Sequence, residues 1–330
     1  TSLEHLKYYN DDNHSYGIVI LDEINSLLSY IYSSTLNGRR KDCLRNLCHI
    51  IQNASLVICS DANITSMAVS SLRLKGDLFG KIFYYKNTFK NKVGVNMNIY
   101  HINKKNYSEN SCIAEFCKLI EADVREEKSV LIFSDSKDIS IKIKEILMTY
   151  NKRESYYKLF NKNEGTIDEI VNCNQSFLNF CVICSPKIIY GVDVLIKYKN
   201  VYCVYKYNNS ENSMSALGYH QQYSRSRNVE NINILILDPH FLTNKNYFVT
   251  FEEHKKEEEK EFKNYKKYQS KLCKKYDVLD ELCSKFGING VEIDNASLFA
   301  EICLYKTWFD KLFSNNKFQL VLKIAEENGY

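Results

Sequence analysis

Short, unbroken apolar runs that end abruptly in polar residues constrain this chain more than any other feature. Ile18–Leu21 runs into Asp22 and Glu23, and Ser55–Cys59 runs into Ser60 and Asp61. Ser129–Phe133 leads to Ser134-Asp135-Ser136, and Phe180–Cys184 leads to Ser185-Pro186. Such a run suits a strand buried on both faces of a parallel sheet, where neighbouring layers cover both sides. Between the runs lie stretches with apolar residues at helical spacing. Leu44, Leu47, Cys48 and Ile51 mark a helix over 42–52, and Ile113, Phe116, Cys117 and Ile120 mark one over 111–126. The β-α-β-α order predicts an α/β protein with parallel sheets. Ligands of open α/β sheets sit outside the carboxyl ends of the strands, so the polar residues that close these runs are the first candidates for chemistry.

The 330 residues are enough for two domains and an appendage. A first series of strands and helices spans 1–90, with a third strand expected at 81–85 and a helix at 65–74. The pattern loosens around 87–98, where Lys, Asn and Gly94 dominate, and a linker is expected there. A second series spans 91–250, with further helices over 138–150 and 216–227 and strands over 200–205 and 232–237. From 251 to 330 the chain reads as a helical appendage. Its Glu- and Lys-rich stretch, 252–275, fits a solvated helix laced with ion pairs better than a nucleic-acid stripe. The tyrosines of 202–207 fit sheet positions better than stacking platforms. A net charge of +4 is too mild to argue by itself for a polyanionic partner.

Twelve cysteines are scattered, mostly within apolar runs, as buried free thiols are. They point to an intracellular, reducing setting, and no apolar run approaches the roughly 18 residues of a membrane span. Cys181 and Cys184 form a Cys-x-x-Cys inside a predicted strand, and no second pair stands at zinc-ribbon spacing.

Two features carry chemistry. Asp22, at the end of a strand, has the character of a ligand for hydrated Mg²⁺, which takes one or two carboxylates together with substrate phosphates. Glu23 beside it is placed to orient an attacking water, and together they have the form of a Walker B segment. Far downstream, Gln221-Gln222-Tyr223-Ser224-Arg225-Ser226-Arg227 offers two guanidiniums, planar forks of donors that match phosphate oxygens. Each feature alone has an ordinary reading as well, a strand end and a surface helix.

Taken in order, these segments resemble the later motifs of superfamily 2 helicases. Leu21-Asp22-Glu23 resembles motif II, Cys59-Ser60-Asp61-Ala62 motif III and Leu131-Ile132-Phe133-Ser134 motif IV. Ser185-Pro186 through Gly191-Val192-Asp193 resembles motif V, and Gln221 through Arg227 motif VI. More narrowly they resemble the herpesvirus-type replication origin-binding proteins. The details are Asp-Ala after the second strand, Ser-Pro with Tyr-Gly-Val in the fifth motif, and arginines two apart in the sixth. The resemblance implies two RecA-like domains in tandem, the first incomplete, with ATP and Mg²⁺ as cofactors. It implies DNA, single-stranded or origin duplex, as partner, other replication proteins besides, and a host nucleus or cytoplasmic viral replication site as the location.

By position, the resemblance gives Asp22 the Mg²⁺ water shell and Glu23 the attacking water. Gln221, Arg225 and Arg227 face the triphosphate, Arg225 being the first choice for an arginine finger. Gly191 and Asp193 lie near the ribose and γ-phosphate. Ser60 and Asp61 couple hydrolysis to DNA contact, and Ser134 and Ser185 contact a strand backbone through hydroxyl and amide donors. Asp61 and Ser224 depart from the commoner helicase pattern, which leaves coupling at those two positions open.

A P-loop, Gly-x-x-x-x-Gly-Lys-Ser/Thr, does not occur. Gly76-Asp77-Leu78-Phe79-Gly80-Lys81-Ile82 has its glycines one residue too close, lacks the hydroxyl residue and follows motif II. The chain is therefore expected to be the later portion of a longer helicase, inactive by itself. The main alternative is a non-catalytic RecA-like module that binds nucleic acid or supports a partner. A third is an unrelated α/β nucleotide enzyme.

Overall fold

The computed structural model describes residues 3–8, 16–31, 36, 38–61, 64, 68, 83, 85, 92–101, 108–161, 164–186, 192–206, 214–237, 250–261, 308, 312 and 319–330. The chain divides into two compact units, Thr1–Tyr85 with Phe248–Lys311, and Lys86–Tyr247 with Leu312–Tyr330. Each holds a parallel sheet.

In the first unit β1 (Ile18–Leu21) pairs in parallel with β2 (Leu56–Cys59), from Ile18 opposite Leu56 to Leu21 opposite Cys59. A parallel pair needs a long crossover, and the helices Ile24–Tyr30 and Arg40–Asn53 lie within it. Leu21, Ile24, Leu28, Ile31, Leu36, Cys43 and Leu47 form the core on one side of the sheet. Arg40 is buried at the start of its helix, where Nε donates to the carbonyl of Ile31 at 2.7 Å. The expectation that Ile18–Leu21 is covered on both faces is not met: Ile18 and Ile20 are 60% and 67% exposed, as are their partners Leu56 and Ile58 at 50% and 43%. Strand side chains alternate, and among the described residues the crossover helices cover only the face that carries Leu21.

The second unit shows why an unbroken apolar run was needed. Its six strands lie in the order β3-β8-β7-β4-β6-β5, all parallel: β3 (Asn96–His101), β4 (Val130–Ser134), β5 (Tyr157–Phe160), β6 (Cys181–Cys184), β7 (Val194–Lys206) and β8 (Ser226–Leu237). Every residue of β4 and β6 is buried. Alternation sends Val130, Ile132, Cys181 and Ile183 into one core, with the helices Glu109–Cys117 and Lys137–Leu147. Leu131, Phe133, Val182 and Cys184 enter the other, with residues of Ile167–Val171, Ala216–Tyr223 and a helix over 319–328. Cys181 and Cys184 therefore face opposite sides of the sheet and cannot share a metal ion. Burial pushes both thiols up, as it does those of Cys117 and Cys203, each to about 12.

Hydroxyl side chains start several of the described helices. Ser108, Ser136, Thr166 and Ser215 each accept from an amide three residues on, with a full capping box at Thr166 and Glu169; each such cap stabilises by about 1 kcal/mol.

Several expected bounds change. The helix over 111–126 is two, Glu109–Cys117 and Glu121–Arg125. The loosened stretch 87–98 already contains the start of β3, where Asn96 and Asn98 donate side-chain bonds to Asn231 and Asn233 at 3.2 and 3.0 Å. Asparagine is a poor strand former, which hid the strand from a reading of propensity. β7 begins six residues before the expected 200, and Tyr202 and Tyr205 are buried within it. The helix expected over 216–227 stops at Tyr223, and Ser226 opens β8. The helix at 65–74, the strand at 81–85 and most of 262–318 lie outside the described residues, apart from Ala68, Phe83, Tyr85, Trp308 and Leu312. In the C-terminal stretch, Phe251–Glu261 is helical and the ring of Phe251 meets Trp308 edge-on at 5.8 Å. Val321 and Ile324 belong to the core of the second unit.

Candidate functional site

In the first unit the register of β1 and β2 does the positioning. Leu21 lies opposite Cys59, so Asp22 and Ser60 leave adjacent strands at the same carboxyl edge. Ser60 Oγ donates to Asp22 Oδ1 at 2.6 Å, and the Ser60 amide donates to the carbonyl of Leu21 at 3.0 Å. One residue on, Asp61 Oδ2 accepts from the Asn25 amide at 2.9 Å, and the Ile24 amide donates to the carbonyl of Ser60 at 3.1 Å. The residues read as motifs II and III are thus one hydrogen-bonded assembly. Asp61 is occupied with the first turn of the helix that follows Asp22.

Glu23 has φ of 49°, in the left-handed region. A side chain there costs about 1 kcal/mol. It arises because the chain turns from strand into helix within Asp22 and Glu23, with the Glu23 amide donating to Asp22 Oδ1 at 3.1 Å. Replacing Glu23 by glycine relieves this, and urea denaturation should show the variant unchanged or more stable by up to about 1 kcal/mol. A loss of stability would mean that contacts of the Glu23 side chain outweigh the backbone cost.

The donor set at Asp22 suits a hydrated Mg²⁺. Asp22 is exposed, and both of its hydrogen bonds fall on Oδ1, which leaves Oδ2 open to the ion's water shell.

In the second unit Asp193, Arg225 and Arg227 come together. Arg227 Nη2 stands 2.7 Å from Asp193 Oδ1, and Arg225 Nη1 is 3.6 Å from the same oxygen. The cause is strand pairing: Val194 lies opposite Ser226, and the Val194 amide donates to the carbonyl of Arg225 at 2.9 Å. Both arginines stand at the amino-terminal ends of β7 and β8, whereas Asp22 closes the carboxyl end of its strand. They are carried by a turn and a strand, not by the helix expected to hold them. Arg225 is 14% exposed and Arg227 38%. Gln221 is half-buried, its carbonyl accepting from Ser224 Oγ at 3.2 Å. Gly191 lies outside the described residues.

Ser134 and Ser185, expected to contact a strand backbone, are both buried. Ser134 is fully buried, with its hydroxyl on the carbonyl of Ser136 at 2.9 Å and on Ser140 Oγ at 2.7 Å. Ser185 is 4% exposed and spends its amide on the carbonyl of Phe160 at 2.9 Å. Ser134 ends β4 and Ser185 follows β6, both strands interior to the sheet.

Three residues escaped the sequence reading. Gln222 is fully buried and its Nε2 donates to the carbonyl of Ser134 at 3.2 Å; its 3-4 spacing with Tyr219 marks it as a core position. His220 is 6% exposed, and burial, with the charge of Lys92, lowers it from 6.5 to about 4. Lys92, in the stretch expected to be linker, is 4% exposed.

The comparisons bear most directly on the first of these clusters. Residues 2–89 match the origin of replication binding protein family. That segment contains Asp22, Glu23, Ser60 and Asp61. No curated protein matches the chain in sequence. Among solved structures, the chain is similar to S. cerevisiae Dbp5 bound to RNA and ADP BeF3, with 13% identity and a TM-score of 0.45 over 71% of this chain and 56% of that one. It is similar to the E. coli DExH-box NTPase HrpB, with 11% identity and a TM-score of 0.43 over 71% of this chain and 29% of that one. The DUF1998 helicase MrfA bound to DNA aligns at 15% identity and a TM-score of 0.43, over 92% of this chain and 40% of that one. The chain thus spans about half or less of the length of these structures. The α/β fold stands on the two parallel sheets themselves.

Proposed function

We propose that this chain is the later portion of an ATP-driven DNA helicase of the replication origin-binding type. The observation that carries the reading is the joining of Asp22 to Ser60 and of Asp61 to the helix after Asp22, at adjacent strand ends inside the family-matched segment. In this reading Asp22 holds Mg²⁺ with ATP, and Glu23 orients the attacking water. The Ser60–Asp22 bond passes a change at the phosphates to the second strand end, and hence towards DNA. Arg225 and Arg227, with Gln221 and Asp193, serve the triphosphate in this reading. Their clustering around one carboxylate supports that role, because it holds both guanidiniums in one orientation.

The discriminating experiment concerns the P-loop. Residues 1–330 alone are expected neither to bind ATP tightly nor to hydrolyse it. The polypeptide extended upstream through a Gly-Lys-Ser/Thr loop should show DNA-stimulated phosphate release that Glu23→Gln abolishes. Robust ATPase activity from 1–330 alone, lost in Glu23→Gln, would overturn the fragment reading. An upstream sequence without such a loop favours the alternative, a non-catalytic module that binds nucleic acid.

A further inference from the structure

We propose that Lys92 is a positioning residue for the Arg225–Arg227 turn, holding from behind the backbone on which both guanidiniums are mounted. Lys92 is 4% exposed, and its Nζ donates to the carbonyl of Ser226 at 3.0 Å and to that of Arg227 at 3.5 Å. Topology explains the need for it. β3 pairs with β8 only from Asn96 opposite Asn231 onward, so residues 226–230 of β8 extend past the end of their neighbour. On the other side the turn is tied to β7 through the Arg225 carbonyl and the Val194 amide. On the β3 side the lysine ammonium takes the place of a strand. It is fixed in turn by the Val95 amide, which donates to the Lys92 carbonyl at 3.0 Å at the entrance to β3.

An ammonium buried at this depth is costly, and two carbonyls and a carboxylate offset the cost here. Burial and then Arg227 draw the Lys92 pKa down, while Asp193 draws it up. Asp193 is therefore paired with Arg227, lies close to Arg225 and acts on the charge of Lys92. His220 faces the same charge from the helix Ala216–Tyr223, and Tyr330 stands near Arg227. A lysine that only filled space would be replaceable by methionine without effect on the arginines. One that sets the turn would not be.

The functional consequence rests on the reading that these arginines meet phosphate, but the placement itself is testable without nucleotide. The side-chain Nε–H resonances of Arg225 and Arg227, assigned by their loss in Arg225→Lys and Arg227→Lys, report the geometry directly. In Lys92→Met both should shift, and their exchange with solvent should quicken on the order of ten-fold, as expected when about one net hydrogen bond is lost locally. Simple destabilisation would lower the urea midpoint and leave these signals in place. If Lys92→Met does not fold, Lys92→Gln keeps one donor and should give the same changes in smaller measure. Resonances that coincide with those of the wild type in the folded variant overturn the proposal. Titration with pyrophosphate separates the two ideas. If pyrophosphate leaves the wild-type arginine signals unmoved while Lys92→Met shifts them, the positioning role stands and the phosphate reading falls.

Discussion

Arg225→Ala should lower ATP turnover by on the order of 10³-fold, measured as single-turnover phosphate release in the polypeptide that supplies a P-loop. Positioned positive charge on a transferring phosphoryl group is worth on the order of 10³–10⁵ in rate. Arg225 is 14% exposed and sits where strand pairing holds its backbone, so the proposed role asks little reorganisation of it. Arg225→Lys should not restore the rate, because an ammonium does not reproduce the planar fork. Arg227→Ala is expected to act differently. Arg227 is the residue bonded to Asp193 at 2.7 Å, and its loss also frees that carboxylate beside Arg225. Stability should change little, since a part-exposed pair of this kind is worth about 1 kcal/mol or less. Turnover that survives Arg225→Ala would remove the arginine-finger role.

Acid should destabilise the second unit through His220. This imidazole is almost wholly buried, edge-on to Tyr223 at 5.3 Å and to Tyr330 at 6.1 Å, and it faces the charge of Lys92. Burial first, and then Lys92, hold its pKa at about 4, below the ordinary 6.5. Above pH 6.5 the ring is neutral in both the folded and the unfolded chain and contributes nothing to pH dependence. As pH falls from 6.5 to 4 the unfolded chain gains a proton that the folded chain refuses, so stability is lost across that window. The loss reaches about 3 kcal/mol once both states are protonated. Urea midpoints at pH 7 and pH 4 should therefore converge in His220→Phe, which keeps an aromatic ring in the cluster and cannot take the proton. An equal acid loss in the variant and the wild type would show that carboxylates, and not His220, carry it.

The core of the second unit was legible because burial on both faces of a parallel sheet demands apolar residues at every position. Val130–Phe133 and Cys181–Cys184 obey that demand. β3 was not legible, because an edge strand rich in asparagine satisfies its side chains across the ladder and advertises no apolar pattern. The helix expected over 216–227 ends at Tyr223. The chain actually turns at Ser224 so that β8 can pair with β7. Ser134 is a different case: a hydroxyl at a strand end reads as exposed, yet here it bonds to the carbonyl of the N-cap residue Ser136 and to Ser140 Oγ.

The amino-acid sequence by itself determined the α/β class, the strand ends that carry Asp22, Ser60 and Asp61, and the chemical kind of group at each. These follow from local demands, since apolar runs must be buried and carboxylates and hydroxyls must end them. Only the tertiary structure decided which groups meet. It joined Asp22 to Ser60 through the register of β1 and β2, gathered Arg225 and Arg227 on Asp193, closed Ser134 and Ser185 away, and brought Lys92 onto β8 across 134 residues of chain. Strand register is fixed when the apolar pattern of one strand packs against a partner distant in sequence, so the pairing of Asp22 with Ser60 is realised only in the folded chain.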